Sequence, residues 1–306
     1  MNKKIYCLII LIFVFFFQFI CGCIDNTSNE NTNNIGILVS IIPQFEMIKS
    51  IGGNYVDITV MVPAGESPHT YETTPEQMIK VAEAVLYFKI GSGVEFELLN
   101  MDSIIEQNSD LKIYDCSENI EVISFNQHYG MEDYQKKNED HDHEGTDPHI
   151  WTSPLNYKKM ARVVYNGLID IDPEHKEEYL MNYELYISVL DDLHENLSSL
   201  LQPYEGKSFM VYHPAWGYFS DTYKLKMISI EEEGKQPGPA GVAAIIEQAK
   251  NENISVVFVT PQYDISSAET IAEEIGGEVI YANPLMSDYR STLYQLVFDM
   301  ISGFEK

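Results

Sequence analysis

The chain has 306 residues, 45 % of them hydrophobic, enough apolar material for one large domain or two ordinary ones, which excludes wholesale disorder. With 47 acidic against 19 basic residues the formal charge is −28. That field repels phosphate backbones and draws cations, so nucleic acid is excluded as a partner.

Lys3 and Lys4 precede an apolar run over 5–20 that is short for a membrane-spanning helix and has the flanks of a secretory signal, assigned to residues 1–22. Cys23 directly after Gly22 matches a lipoprotein processing site, so lipidation is expected at Cys23, with the body held outside the cytoplasm on the outer face of the membrane. An uncleaved anchor helix would leave the body on the same side. The polar stretch 23–34 reads as the tether. Of the four cysteines only Cys116 lies in the body, which leaves no internal disulfide framework and no thiolate metal cluster.

From residue 35 strand-like and helix-like segments alternate. Short apolar runs at 37–41, 56–62, 85–88 and, more weakly, 111–114 suit buried parallel strands, and 75–84 reads as a helix with Pro75 in its first turn. Residues 126–147 interrupt the pattern with an acid- and histidine-rich surface loop carrying His128, His141 and His143. Beyond Pro154 the helical period takes over. Asp172-Pro173-Glu174 looks like a helix start, and Leu180, Tyr183, Ile187, Leu190, Leu193, Leu197 and Leu201 recur every three or four residues, which predicts one helix of about 28 residues over 172–202. At 1.5 Å per residue it would run about 42 Å, long enough to join two domains. Strands at 208–212, 255–259 and 279–281 then alternate with helices at 241–250, 267–275 and 289–301.

The expected fold is α/β, with an N-terminal lobe over 35–171 and a C-terminal lobe over 203–306. Each holds a mainly parallel sheet flanked by helices, and one long rigid helix joins them. Neither a phosphate-binding nor a dinucleotide glycine motif is present, and the compact zinc-protease and nucleophile-elbow motifs are absent too.

Three histidines sit in turns hemmed by Pro, Trp or Tyr: His69 in Pro68-His69-Thr70-Tyr71, His149 in Asp147-Pro148-His149-Ile150-Trp151, and His213 in Tyr212-His213-Pro214-Ala215-Trp216. His69 and His213 follow predicted strands, and ligands of open α/β sheets bind beyond the carboxyl ends of strands, which places a candidate site between the lobes. Spacing alone is weak, because the separations match no compact metal motif.

The segments that hold these histidines carry a resemblance. Together with Val39-Ser40-Ile41-Ile42-Pro43, Gly65-Glu66-Ser67, Gly91-Ser92-Gly93-Val94-Glu95 and Asn283-Pro284-Leu285, they make the chain similar to the zinc- and manganese-binding receptors of ABC importers, the ZnuA/TroA-like family with a helical backbone. The resemblance spans nearly all of the mature chain. It implies a non-enzymatic, monomeric lipoprotein that takes His69, His149 and His213 as metal ligands and hands a divalent ion to a permease and ATPase complex. Three imidazoles favour Zn2+ over Mn2+, because manganese receptors of the family put a carboxylate where this chain has His213. Relatives often have Asp in the position of Asn283, or Glu in that of Pro68; neither carboxylate is present here. The fourth donor stays open among water, a loop histidine (His128, His141 or His143) and the Asn283 carbonyl, with water preferred, and Glu66 and Asp147 are expected to orient the ligands. Competing expectations are a manganese or iron receptor, a surface zinc hydrolase and an adhesin. Imidazole rings more than about 8 Å apart would exclude a shared ion, because zinc–nitrogen bonds are only about 2 Å long.

Overall fold

The computed structural model describes residues 34–124, 145–231, 235–263 and 265–306. The expected signal, Cys23, and the loop histidines His128, His141 and His143 lie outside the described residues.

The first sheet holds β1 (Ile35–Val39), β2 (Val56–Val60), β3 (Leu86–Lys89) and β4 (Lys112–Asp115), all parallel and ordered β2-β1-β3-β4. Its helices are α1 (Pro43–Gly52), α2 (Pro75–Glu83), α3 (Glu95–Gln107) and α4 (Pro154–Ile171). Local chemistry sets their starts. Thr74 and Gln77 form a reciprocal capping box around Pro75 at the head of α2, and the Ser153 hydroxyl accepts from Asn156 N ahead of Pro154 in α4.

The second sheet repeats the plan with β5 (Ser208–Val211), β6 (Lys226–Ser229), β7 (Val256–Val259) and β8 (Glu278–Tyr281), again parallel and ordered β6-β5-β7-β8. The apolar runs do not mark β6, whose sequence Lys-Met-Ile-Ser mixes polar and apolar residues on an outer strand. Along β5 and β7 the strand period of two divides the side chains between two cores. Phe209, Val211, Val256 and Phe258 join the main one, and Met210, Val257 and Val259 a smaller one on the other face.

The long helix is α5 (Lys176–Leu201), 26 residues or about 39 Å. It starts later than the sequence pattern suggests, because Pro173–His175 forms a 3-10 turn. Asp172 stands just ahead of that turn. Its carboxylate takes His175 Nδ1 at 2.6 Å and the Tyr179 hydroxyl at 2.7 Å. α5 packs against α4, α1 and the final helix α9 (Tyr289–Phe304).

α9 is itself a bridge. At its head Tyr289 N donates to Glu46 at 2.7 Å and the Tyr289 hydroxyl to Trp151 O at 2.8 Å, while near its tail Gly303 O accepts from Ser255. The remaining helices, α6 (Gly217–Thr222), α7 (Pro239–Asn251) and α8 (Ser266–Ile275), belong to the second half. The main core runs unbroken from the first sheet through α4, α5 and α9 to the second sheet. Cys116 is a buried free thiol.

Candidate metal centre

The structure brings the three predicted histidines together. Their ring centroids lie 5.1 Å apart for His149–His213, 5.1 Å for His69–His213 and 6.4 Å for His69–His149, all inside the limit set by the sequence argument. One ring nitrogen from each falls within 4.8 Å of the others. The closest edge is His149 Nε2 to His213 Nε2, 3.3 Å. Two nitrogens bound tetrahedrally at 2.0 to 2.1 Å stand about 3.4 Å apart, so this edge already has the spacing of a metal-bound pair.

Each imidazole is oriented by its own carboxylate. His69 Nδ1 meets Glu95 Oε2 at 2.9 Å, His149 Nδ1 meets Asp147 Oδ1 at 2.8 Å, and His213 Nδ1 lies 3.3 Å from both oxygens of Glu231. A carboxylate at Nδ1 favours the proton there and leaves Nε2 as the free donor of each ring.

Local structure explains each arm. The Ser67 hydroxyl accepts from His69 N at 3.3 Å inside the turn that follows β2. Asp147 Oδ1 also accepts His149 N at 2.9 Å, which makes Asp147-Pro148-His149 a closed unit ahead of the 3-10 turn Ile150–Thr152. Asp147 is fully buried, and Ser124 pairs with Thr146, so the surface loop expected over 126–147 ends before Asp147. His213 lies two residues past β5. Because β5 and β6 pair in parallel with Val211 opposite Ser229, the residues two steps further on, His213 and Glu231, stand side by side. Glu231 N donates to Tyr212 O at 3.0 Å and keeps that register.

The surroundings are apolar and tight. Tyr263 stacks on the His213 ring at 4.8 Å, Trp151 lies 5.2 Å from the His149 ring, and Pro68, Pro148 and Pro284 close the walls. The cavity is about 30 Å³, room for one or two water-sized ligands. Burial, joined by the neighbouring His149 and His69, pushes the His213 pKa down to about 4 against the pull of Glu231, so its ring is neutral at pH 7. Burial works to raise the Glu95 pKa, but the hydrogen bond and charge of His69 outweigh it, and the carboxyl is held below its ordinary range.

Two expectations need correction. Glu66 is exposed, and among the described residues its side chain has no hydrogen bond or ion pair; the partner of His69 is Glu95, which the start of α3 presents beside it. Asn283 does not line the cavity. Its Oδ1 accepts Leu285 N at 3.0 Å and its Nδ2 donates to Leu285 O, so its carbonyl closes a local turn instead of facing an ion. Glu95 and Glu231 are the residues that sequence reasoning passes over. Glu95 stands in a segment already marked by the resemblance, and Glu231 opens the acidic run Glu231-Glu232-Glu233.

Two parallel-sheet lobes bridged by helices, with a converging donor set in the cleft, define a two-lobed solute-binding protein. The chain belongs to the family described as zinc-uptake complex component A, periplasmic, whose model matches residues 37–301. It is 25 % identical over 284 residues to the high-affinity zinc uptake system protein ZnuA of Bacillus subtilis (strain 168), covering 88 % of this chain and 85 % of that protein. It is 24 % identical over 265 residues to the manganese-binding lipoprotein MntA of Halalkalibacterium halodurans, covering 85 % and 82 % respectively. Among solved structures, a crystal structure of ZnuA superimposes with a TM-score of 0.80 at 32 % identity, over 88 % of this chain and 99 % of that one.

Proposed function

We propose that this chain is an extracytoplasmic receptor that captures one zinc ion through the Nε2 atoms of His69, His149 and His213 and delivers it to the permease and ATPase of an ABC importer. The observation that carries the reading is the 3.3 Å edge between His149 and His213 Nε2, with His69 as the third donor. Three imidazole nitrogens, with no carboxylate oxygen among them, favour zinc over manganese. A water molecule fits the cavity as the fourth donor, and Asn283 is otherwise engaged.

The same geometry argues against an enzyme. A hydrolytic zinc needs a base beside its bound water, yet Asp147 and Glu231 are buried behind their rings at Nδ1, and Glu95, the one acid among the described residues lining the cavity, is engaged with His69 Nδ1. Binding in a cleft suits a carrier that must let go, and the shared core and two bridging helices keep the lobe movement small. The chain acts as a monomer in this reading, and a lipid on Cys23 holds it at the outer face of the membrane. No helix among the described residues is long and apolar enough to cross a membrane.

Competition titration with a chromophoric zinc chelator tests the proposal, with elemental analysis alongside it. One zinc per chain is expected, displaced poorly by manganese, and His149→Ala should lose binding. Unchanged affinity in that variant would remove the site. Tighter manganese than zinc binding would move the chain to the second reading, which the manganese-binding relative favours.

A further inference from the structure

The three carboxylates behind the imidazoles are not equivalent. Asp147 and Glu231 are walled in, with side-chain exposures of 0 % and 4 %, and so are their histidines. Glu95 is 43 % exposed and its partner His69 28 %. Among the described residues that line the cavity, Glu95 is the single acid; Asp147 and Glu231 stand behind the rings and do not reach the wall.

The base under Glu95 is firm. It is the first residue of α3, and two residues on, the buried Glu97 carboxylate accepts Ile90 N at 2.5 Å and Gly91 N at 2.9 Å, which pins the turn leading into the helix. A rigid backbone therefore presents one partly solvated negative charge at the mouth of a pocket whose other described lining residues carry no acid. Behind the mouth, His149 and His213 already stand at metal-bound spacing, so any wider edge of the triangle involves His69.

Resting on the zinc reading above, we propose that Glu95 is the capture residue of this site. It draws the divalent cation into the mouth and holds His69 with Nε2 turned inward, so that the third bond closes on an ion already met by the His149–His213 edge. Glu231 and Asp147 serve retention instead, by fixing rings that need not move. Capture and release are thereby divided among different carboxylates. A charge at the mouth acts on association and is screened by salt, because the Debye length at 0.1 M is about 10 Å. A buried partner of a ligand acts on the strength of the finished bond.

The test is stopped-flow mixing of the mature chain with zinc ion alone, and with a competing fluorescent chelator for the reverse step, at two or more salt concentrations. Glu95→Gln keeps an acceptor for His69 Nδ1 and removes only the charge. Its association rate should fall about fivefold to tenfold at low salt and lose part of its salt dependence, while dissociation stays within about threefold of wild type. Glu231→Gln should do the reverse, with association nearly unchanged and dissociation faster by about tenfold or more. In the metal-free protein, nitrogen NMR should find His69 protonated at Nδ1, and a tautomer mixture in Glu95→Ala.

Wild-type association and salt dependence in Glu95→Gln would overturn the proposal, as would the two variants altering the same rate constant. A His69 tautomer indifferent to Glu95→Ala would also count against it. These results leave the zinc reading standing, whereas full zinc affinity in His149→Ala would overturn both.

Discussion

The two sheets have the same strand order and the same crevice, and they fill it differently. In each, the order reverses beside the first strand, so an opening forms beyond the carboxyl ends of β1 and β3 in one lobe and of β5 and β7 in the other. In the first lobe that opening is plugged. The Glu97 carboxylate accepts Ile90 N, Gly91 N and the Ser40 hydroxyl, while Gln44 accepts Ser40 N at 2.9 Å and donates to Phe88 O at 2.7 Å. In the second lobe the corresponding place holds the His213 ring, with Tyr263 stacked on it from the turn after β7. One topology thus supplies a structural plug on one side and a donor atom on the other. The first lobe makes its contribution to the site from outside its own crevice, through His69 beyond β2 and through His149.

The sharpest way to break this comparison is to empty each crevice in turn. His213→Ala should weaken zinc binding beyond the 10- to 100-fold, roughly, that loss of an outer partner costs, with the protein still folded. Glu97→Ala should act mainly on folding, because it strands the buried Ile90 N–H at about 1 to 3 kcal/mol and leaves the half-buried Gly91 N–H without its partner. Urea unfolding of the metal-free variant measures that loss. A Glu97 variant as stable as wild type, or one that loses zinc as fully as His213→Ala, would mean that the plug is part of the site.

A pH series sharpens the same contrast. Burial, with the nearby His149 and His69, places the His213 pKa at about 4 in the fold, against 6.5 for an ordinary histidine. Above pH 6.5 neither the folded nor the unfolded state binds this proton. As the pH falls from there the unfolded chain takes it up and the folded chain does not, so stability is lost until about pH 4, below which both states carry it. Each pH unit in that window costs at most about 1.4 kcal/mol, or roughly 2 kcal/mol by pH 5. Metal-free His213→Gln should lose this part of the acid slope in urea titrations between pH 7 and 5. An unchanged slope would mean that the ring is already protonated in the fold.

What could be read from the sequence was what is local. Apolar runs of four or five residues gave most strands, Pro75 gave a helix start, and a repeat of three and four gave α5. The three histidines stood out because proline and aromatic neighbours constrain their turns, and the resemblance joined them. The partners of two of them were hidden for a physical reason. Glu231 reaches His213 only through the parallel register of β5 with β6, and β6 is too polar to declare itself. Glu95 reaches His69 across the gap between the turn after β2 and the head of α3. Glu66, three residues from His69, was the natural local guess and is exposed, whereas Asp147, two residues from His149, does meet its imidazole, so nearness along the chain identified one partner and missed the other. Likewise α9 looked like an ordinary last helix. Only its contacts with Glu46 and Trp151 at one end and Ser255 at the other make it a second bridge.

That second bridge carries the smallest prediction. The Tyr289 hydroxyl donates to Trp151 O at 2.8 Å, two residues from His149, and the Trp151 ring nitrogen donates to Pro284 O at 2.8 Å, so the lobes are tied beside the site by polar contacts. The Tyr289 ring also stacks on Tyr157 at 3.8 Å, nearly parallel, and is buried in the shared core. Tyr289→Phe keeps the stack and loses one neutral hydrogen bond, so about 1 kcal/mol of stability should go. Zinc affinity should change by less than about threefold, since a continuous core resists displacement at one point. An affinity loss approaching that of His213→Ala would show that the polar tie sets the spacing between the lobes. The equivalence of the two crevices would then matter less than the strap that holds them face to face.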